Sequence, residues 1–271
     1  MVGSNERHRE QKLYAGTRGS FKNCGYGGCG SLTDKILLTG GCSFTVGPEC
    51  WPNHLVKRID YRLINEGQGG SGNGFIKKKV MYRLTQLLKT VDKNNILVGV
   101  MWSGFTRHEL FTQDRINPDD VFKPQSNIVK YIDDKQSSGN WILVNQGWDN
   151  HYAKNFYLNF DLLAGVIQTL ENILALQNFL ETLGVKYFMT TFTSETLPQD
   201  FIAHPEAIWL HDQIDFDKFL PILGEYEWCK GITPDSLTKE WPIKWQHPVR
   251  EEHIKFVDEL VVPYLGSRKL I

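Results

Sequence analysis

The stretch DKILLTGGCSFTVG, residues 34–47, decides how this chain is read. Ile36, Leu37 and Leu38 are apolar at consecutive positions, so both faces of the segment are buried. That is the habit of a strand in a parallel sheet with helices on either side. The run ends at Gly40-Gly41, where the backbone is free to turn. Cys42-Ser43 follows at once, then Gly47. A serine directly after such a strand can point its hydroxyl out from the edge of the sheet.

Working outward, three more runs have the same character: YRLINEG (61–67), NNILVGVMW (94–102) and VKYFMTTF (185–192). Helical patterns separate them. WPNHLVKRI lies between the first two runs, and residues 74–90 follow the second. Over 161–183, Leu162, Leu163, Val166, Ile167, Leu170, Ile173, Leu174, Leu180 and Leu183 keep to one broad stripe, with Asn159 or Asp161 able to cap the start and Gly184 able to end it. A last helix is predicted over about 249–261. Alternating strand and helix implies βαβ units with right-handed crossovers, hence an α/β fold: a three-layer α/β/α sandwich on a mostly parallel sheet.

Two stretches break this rhythm. Residues 103–158 are long, polar and rich in aromatics, including Phe105, Phe111, Trp141 and Trp148. Loops of that length inside a compact domain carry function or structure of their own. They read as a large insertion after the third strand, with short strands of its own at NIVKYI and NWILVN. Residues 194–246 form a second irregular stretch with Trp209, Trp228, Trp241 and Trp245. The tryptophans can line a cleft where sugars stack, or build a satellite core under a long loop. Residues 1–33 are polar and Gly-rich without periodicity and read as a flexible N-terminal arm, leaving residues 34–271 as the domain. Cys24 and Cys29 lie in the arm as C-x4-C, with no second Cys/His pair at finger spacing, so they read as thiols and not as a zinc site.

Composition narrows the class. The 271 residues are 41% hydrophobic, enough to bury a sizeable core, and Lys+Arg 30 against Asp+Glu 31 leaves a formal net charge of −1. That balance argues against a general nucleic-acid binder. No apolar run reaches the roughly 18 residues of a membrane span, and the polar start MVGSNERHREQKLY is no secretory signal. Five cysteines at irregular spacing do not make a disulfide scaffold, so a cytoplasmic setting is expected.

Ligands in an open α/β sheet bind at the carboxyl ends of the strands. Four runs should therefore converge: GGCSFTVG (40–47), NEGQGGSGNG (65–74), WSGFTRHE (102–109) and KWQHPVREEH (244–253). Alone, Gly67-x-Gly69-x-x-Gly72 satisfies a dinucleotide fingerprint. That site also wants an acid at the end of the next strand, and Met101-Trp102-Ser103 stands there. A serine-hydrolase reading uses all four runs. Ser43 attacks, the amides of the helix after it face the developing oxyanion, the glycine loop adds an N–H, and a C-terminal histidine takes the proton.

On these residues the chain resembles the SGNH/GDSL hydrolase superfamily. GCSFTVG is similar to the first block, G-D-S-x-x-x-G, with Cys42 where Asp is usual. NEGQGGSGN is similar to the second, which places Gly70 as an oxyanion donor, and HPVREEH to the end of the last, which places His247 as the catalytic histidine. The GCSFT form is similar to divergent, phage-like members, and a viral origin would make the cytoplasm that of a host cell. The resemblance covers about residues 34–102 and 159–265. It implies a flavodoxin-like sheet and an oxyanion hole of the Ser43 and Gly70 amides with a third donor. The chain departs from the pattern twice. The Asn of the third block is absent, leaving Ser103 or Arg107 to substitute, and Lys244 stands where the orienting Asp belongs. Losing one oxyanion donor costs about 10²–10³ in rate, and losing the carboxylate about 10⁴. Asp235 or Glu240 could orient the histidine instead.

Each residue also has a plainer reading. Ser43 and Asn73 could cap helices, and Gly70 could be an ordinary turn. His247 could be a surface histidine ahead of Pro248. Arg107 could pair with Glu109, Cys42 could be a small buried thiol and not a nucleophile, and His253 could pack in the last helix. Asn73, Trp102, Arg107 and Trp245 are the candidate binding residues. The function expected is hydrolysis of a small ester or an O-acetylated carbohydrate through an acyl-serine, with no cofactor or metal implied and with no nucleic acid or membrane as partner. The alternatives are a non-catalytic module that binds a glycan or a protein on the same fold, and a nucleotide binder using Gly67–Gly72.

Overall fold

The computed structural model describes residues 34–112, 128–129, 140–146, 148, 151–231 and 247–271. Among them the strands are β1 (Ile36–Gly40), β2 (Arg62–Asn65), β3 (Ile96–Trp102), β4 (Arg107–Thr112), β5 (Ile128–Val129), β6 (Asn140–Asn145) and β7 (Lys186–Thr191). The helices are α1 (Trp51–Ile59), α2 (Asn73–Leu87), α3 (His151–Tyr157), α4 (Leu162–Leu183), α5 (Gln199–Ile202), α6 (Pro205–His211), α7 (Glu225–Lys230), α8 (Arg250–Phe256) and α9 (Val262–Ser267).

The main sheet has the order β2-β1-β3-β7, and every pairing in it is parallel. Beside β7 a single parallel bridge, Met189 to Phe219, extends the sheet where a fifth strand would lie. The fold is therefore α/β with three layers and a flavodoxin-like strand order. The apolar runs divide by alternation, as a strand's two faces require. Leu37, Leu97, Met101 and Phe188 pack with α1, α8 and α9 in one core. Leu38, Val98, Val100 and Met189 pack with α2, α4 and α6 in the other.

Local chemistry sets the helix limits. Asp161, not Asn159, caps α4 by accepting the N–H groups of Leu163 and Ala164 at 2.8 and 3.2 Å. Gly184 ends that helix at φ 64°, a left-handed conformation that favours glycine. Three expectations need correction. The helix takes the expected WPNHLVKRI as α1, but the amides around Ser43 belong to a turn and not to that helix. A turn closes with the Thr45 N–H on the Cys42 carbonyl at 3.0 Å, and α1 begins only at Trp51, after Gly47 at φ 109° and Pro48 have broken the chain's path. The last helix does not stop at 261. A wide turn at Val257–Val261 carries it into α9, because Pro263 lacks the N–H that a regular helix would use. Part of the second irregular stretch is helical, as α5, α6 and α7.

The insertion forms a small antiparallel sheet, β4-β6-β5. The expected NWILVN strand is β6. NIVKYI is represented by β5 alone, and β4 was not foreseen. This sheet lies over the start of α2. A side chain at Gly72 would collide with the backbone of Arg107 and His108, so glycine is what lets the two backbones touch. Among the described residues no helix is long and apolar enough to cross a membrane.

Candidate active site

The strand order reverses between β1 and β3. The chain leaves β1 toward β2 and returns to lay β3 on the other side, so the carboxyl ends of β1 and β3 open into a crevice. Ser43 follows β1 and Ser103 follows β3 at this point. The Asn65 side chain at the end of β2 ties the rim together. Its amide donates to the Thr45 carbonyl at 2.7 Å, and its oxygen accepts the Gly67 N–H at 2.8 Å and the Thr39 hydroxyl at 3.1 Å. The serine turn and the glycine loop are thereby held side by side. A side-chain carbon added at Gly69 would lie 4.0 Å from Ser43 Cβ.

Into this crevice comes His247. Its Nε2 lies 2.7 Å from Ser43 Oγ, across 204 residues of sequence. The backbone behind it is fixed, since Pro248 is buried and the Val249 N–H donates to the Glu252 carboxylate at 2.9 Å. Its ring packs on Phe44 at 5.1 Å, Phe44 meets Phe192 edge-on at 5.4 Å, and the Arg107 guanidinium covers Phe192 at 4.7 Å. Partial enclosure of the ring, then the positive charges of Arg107 and His253, lower the imidazole's pKa from its ordinary value. The neutral form, the one that can accept a proton from Ser43, therefore dominates at neutral pH.

Gly70 stands at φ 77° beneath Trp148, whose ring a Cβ there would meet at 2.9 Å. A tryptophan of the insertion thus roofs the glycine loop. The amide N–H groups of Ser43 and Gly70 make no hydrogen bond among the described residues. They are donors without an internal acceptor, as an oxyanion site needs.

The other predicted residues have different places. Ser103 is fully buried, and its hydroxyl accepts from Arg107 Nη1 at 3.1 Å. It supports the arginine and has no face toward a substrate. Arg107 does not pair with Glu109, because Lys78 takes that carboxylate at 2.6 Å. Asn73 is not a cap, and its side chain is taken up inside the fold. Buried at the start of α2, its side chain accepts the Ser103 N–H at 2.7 Å and donates to the Ser103 carbonyl at 3.0 Å and to Thr169 at 3.1 Å. It locks the end of β3 to the glycine loop's helix. Trp102 is a core residue, wholly buried with its N–H on the Met189 sulfur at 3.3 Å, not a binding residue. Cys42 is buried in the core, and His253 is buried with Nδ1 2.6 Å from Glu225. Trp245, Lys244, Asp235, Glu240, Trp241 and the arm with Cys24 and Cys29 lie outside the described residues.

Sequence reasoning missed Glu195, which follows β7. Its carboxyl group faces Gly104. Burial, opposed by Arg107 and reinforced by Glu227, pushes it up to about 7. The rule that put Ser43 and Ser103 in the site, residues just past a strand's carboxyl end, also points to Thr193-Ser194-Glu195 once it is applied to the fourth run. Among the described residues no group of three or more His, Cys, Asp or Glu side chains could hold a metal ion. No protein-family model matches the chain, and no curated protein matches its sequence.

Proposed function

We propose that the chain is a serine-dependent acyl-ester hydrolase of the SGNH type. The 2.7 Å contact between Ser43 Oγ and His247 Nε2 carries this reading. The Ser43 hydroxyl donates to the neutral imidazole. As Oγ attacks the ester carbonyl, the proton passes to Nε2 and the carbonyl oxygen takes up the negative charge. The N–H groups of Ser43 and Gly70 receive that oxyanion. When the tetrahedral intermediate collapses, the imidazolium returns its proton to the leaving alcohol, and the acyl group stays on Ser43. Water then repeats the cycle, with His247 removing its proton. The aromatic surround of Phe44, Phe192 and Trp148, with exposed Val46 three residues after Ser43 and exposed Val249 two after His247, suits a small acyl group or an acetylated sugar.

The charges around His247 favour a second reading. Arg107 and His253 both oppose an imidazolium, which would slow acylation. On that reading the crevice binds a glycan or a protein without cutting it. Hydrolysis of p-nitrophenyl acetate separates the two. Ser43→Ala should lower turnover by at least about 10³-fold with an unchanged circular-dichroism spectrum. Equal turnover by the variant removes the nucleophile assignment.

A further inference from the structure

Arg107 is a cation with spare donors at the mouth of the crevice. A guanidinium carries five N–H groups. Among the described residues, this one uses a single hydrogen bond, to Ser103. The acids near it are otherwise engaged or charge-poor. Glu109 is held by Lys78 at 2.6 Å, and Glu195, which Arg107 influences electrostatically, is held toward its neutral form by burial. Phe192 beneath and Ser103 beside fix the plane of the guanidinium, so its remaining fork is pre-oriented. Arg107 also lines a cavity of about 480 Å³ with Asn73, Lys77, Lys78, His108 and Gln168, while Glu171 stands on its wall. A fixed fork with unspent donors, seated on the Phe192–Phe44 pair that backs His247, is suited to a planar anion held by two parallel hydrogen bonds.

Resting on the hydrolase reading, we infer that the site selects esters whose acyl half carries a carboxylate, with Arg107 reading that carboxylate beside the Ser43–His247 pair. Such a residue determines specificity. The two backbone amides hold the oxyanion, and the arginine holds a group that is already charged in the ground state.

The test compares mono-p-nitrophenyl succinate with its neutral methyl ester. Wild-type kcat/KM should favour the anionic probe by about 10- to 100-fold, the reach of a charge-assisted pair. The preference should shrink with added salt. Arg107→Gln should erase the ratio by lowering the anionic ester far more than the neutral one, and Arg107→Lys should restore only part of it. An equal loss on both esters would make Arg107 an oxyanion donor and overturn the inference, as would a wild-type ratio near one. Glutarate binding to Ser43→Ala, measured by calorimetry with and without Arg107→Gln, gives a readout that needs no turnover. Binding lost with the arginine supports the carboxylate site even if no ester is cleaved, the result that would sink the hydrolase reading alone. No binding, or binding unchanged by Arg107→Gln, overturns the carboxylate site.

Discussion

Two histidines six residues apart in the chain have opposite surroundings. His247 sits on the rim, exposed, with Nε2 on a serine hydroxyl at 2.7 Å and cations as its electrostatic neighbours. His253 is 3% exposed inside α8, with Nδ1 on the fully buried carboxylate of Glu225 at 2.6 Å. On the proposed function, the first gains and loses a proton during the reaction. The second holds α8 to α7 through a hydrogen bond that water does not reach. Sequence position says little about which is which. What differs is the partner atom and the access of solvent.

Substitutions at the two should therefore fail differently. His247→Ala should cost at least about 10³-fold in ester turnover while thermal unfolding barely moves. His253→Ala should leave the Glu225 carboxyl group buried without its partner, an error worth about 3 kcal/mol of stability. Its remaining folded fraction should still turn over substrate. Unfolding by urea together with turnover per folded molecule distinguishes the two outcomes. If His253→Ala lost activity while keeping full stability, the division of labour argued here would be wrong.

Asn73 gives a smaller effect of the structural kind. Its side chain satisfies both backbone groups of Ser103 and the Thr169 hydroxyl. Removing it in Asn73→Ala should cost about 1–3 kcal/mol, the usual penalty for buried groups left unpaired. The main loss should appear in the urea midpoint.

The smallest effect sharpens the electrostatic side. The pKa of His247 is lowered, so the acid limb of kcat/KM should fall below about 6.5, the ordinary imidazole value. Protonated His247 cannot take the Ser43 proton, so activity should disappear as pH drops through that limb. Arg107 disfavours the imidazolium, and Arg107→Gln should move the limb upward. A pH–rate profile of wild type and variant on the neutral ester checks the sign. A downward shift would contradict the placement of Arg107 beside the dyad.

The fold is more legible in the sequence than the site. β3 is apolar at nearly every position and β1 and β7 each carry three apolar residues in a row, short runs between helical stripes that suit buried strands. β4 is different. Its residues RHELFT show neither period, and the segment is extended because β6 supplies a full antiparallel partner. In the site, Ser43, Gly70 and His247 can be named from their turns and from the resemblance of their blocks. Arg107 could be named as a candidate, but its bond to Ser103 and its seat on Phe192 depend on contacts between distant strands. Asn65 opens the glycine run that follows the second strand, but its ties to Thr39 and Thr45 depend on contacts between segments; Glu195 could have been reached by asking what stands past the end of β7.

The account rests on a nucleophilic hydroxyl activated by one imidazole. Reaction with a fluorophosphonate, followed by peptide mapping in the mass spectrometer, tests this most directly. One adduct per chain on Ser43 is predicted, forming more slowly as pH falls and nearly absent in His247→Ala. An unlabelled Ser43 at saturating reagent, or labelling equally fast without His247, would contradict it.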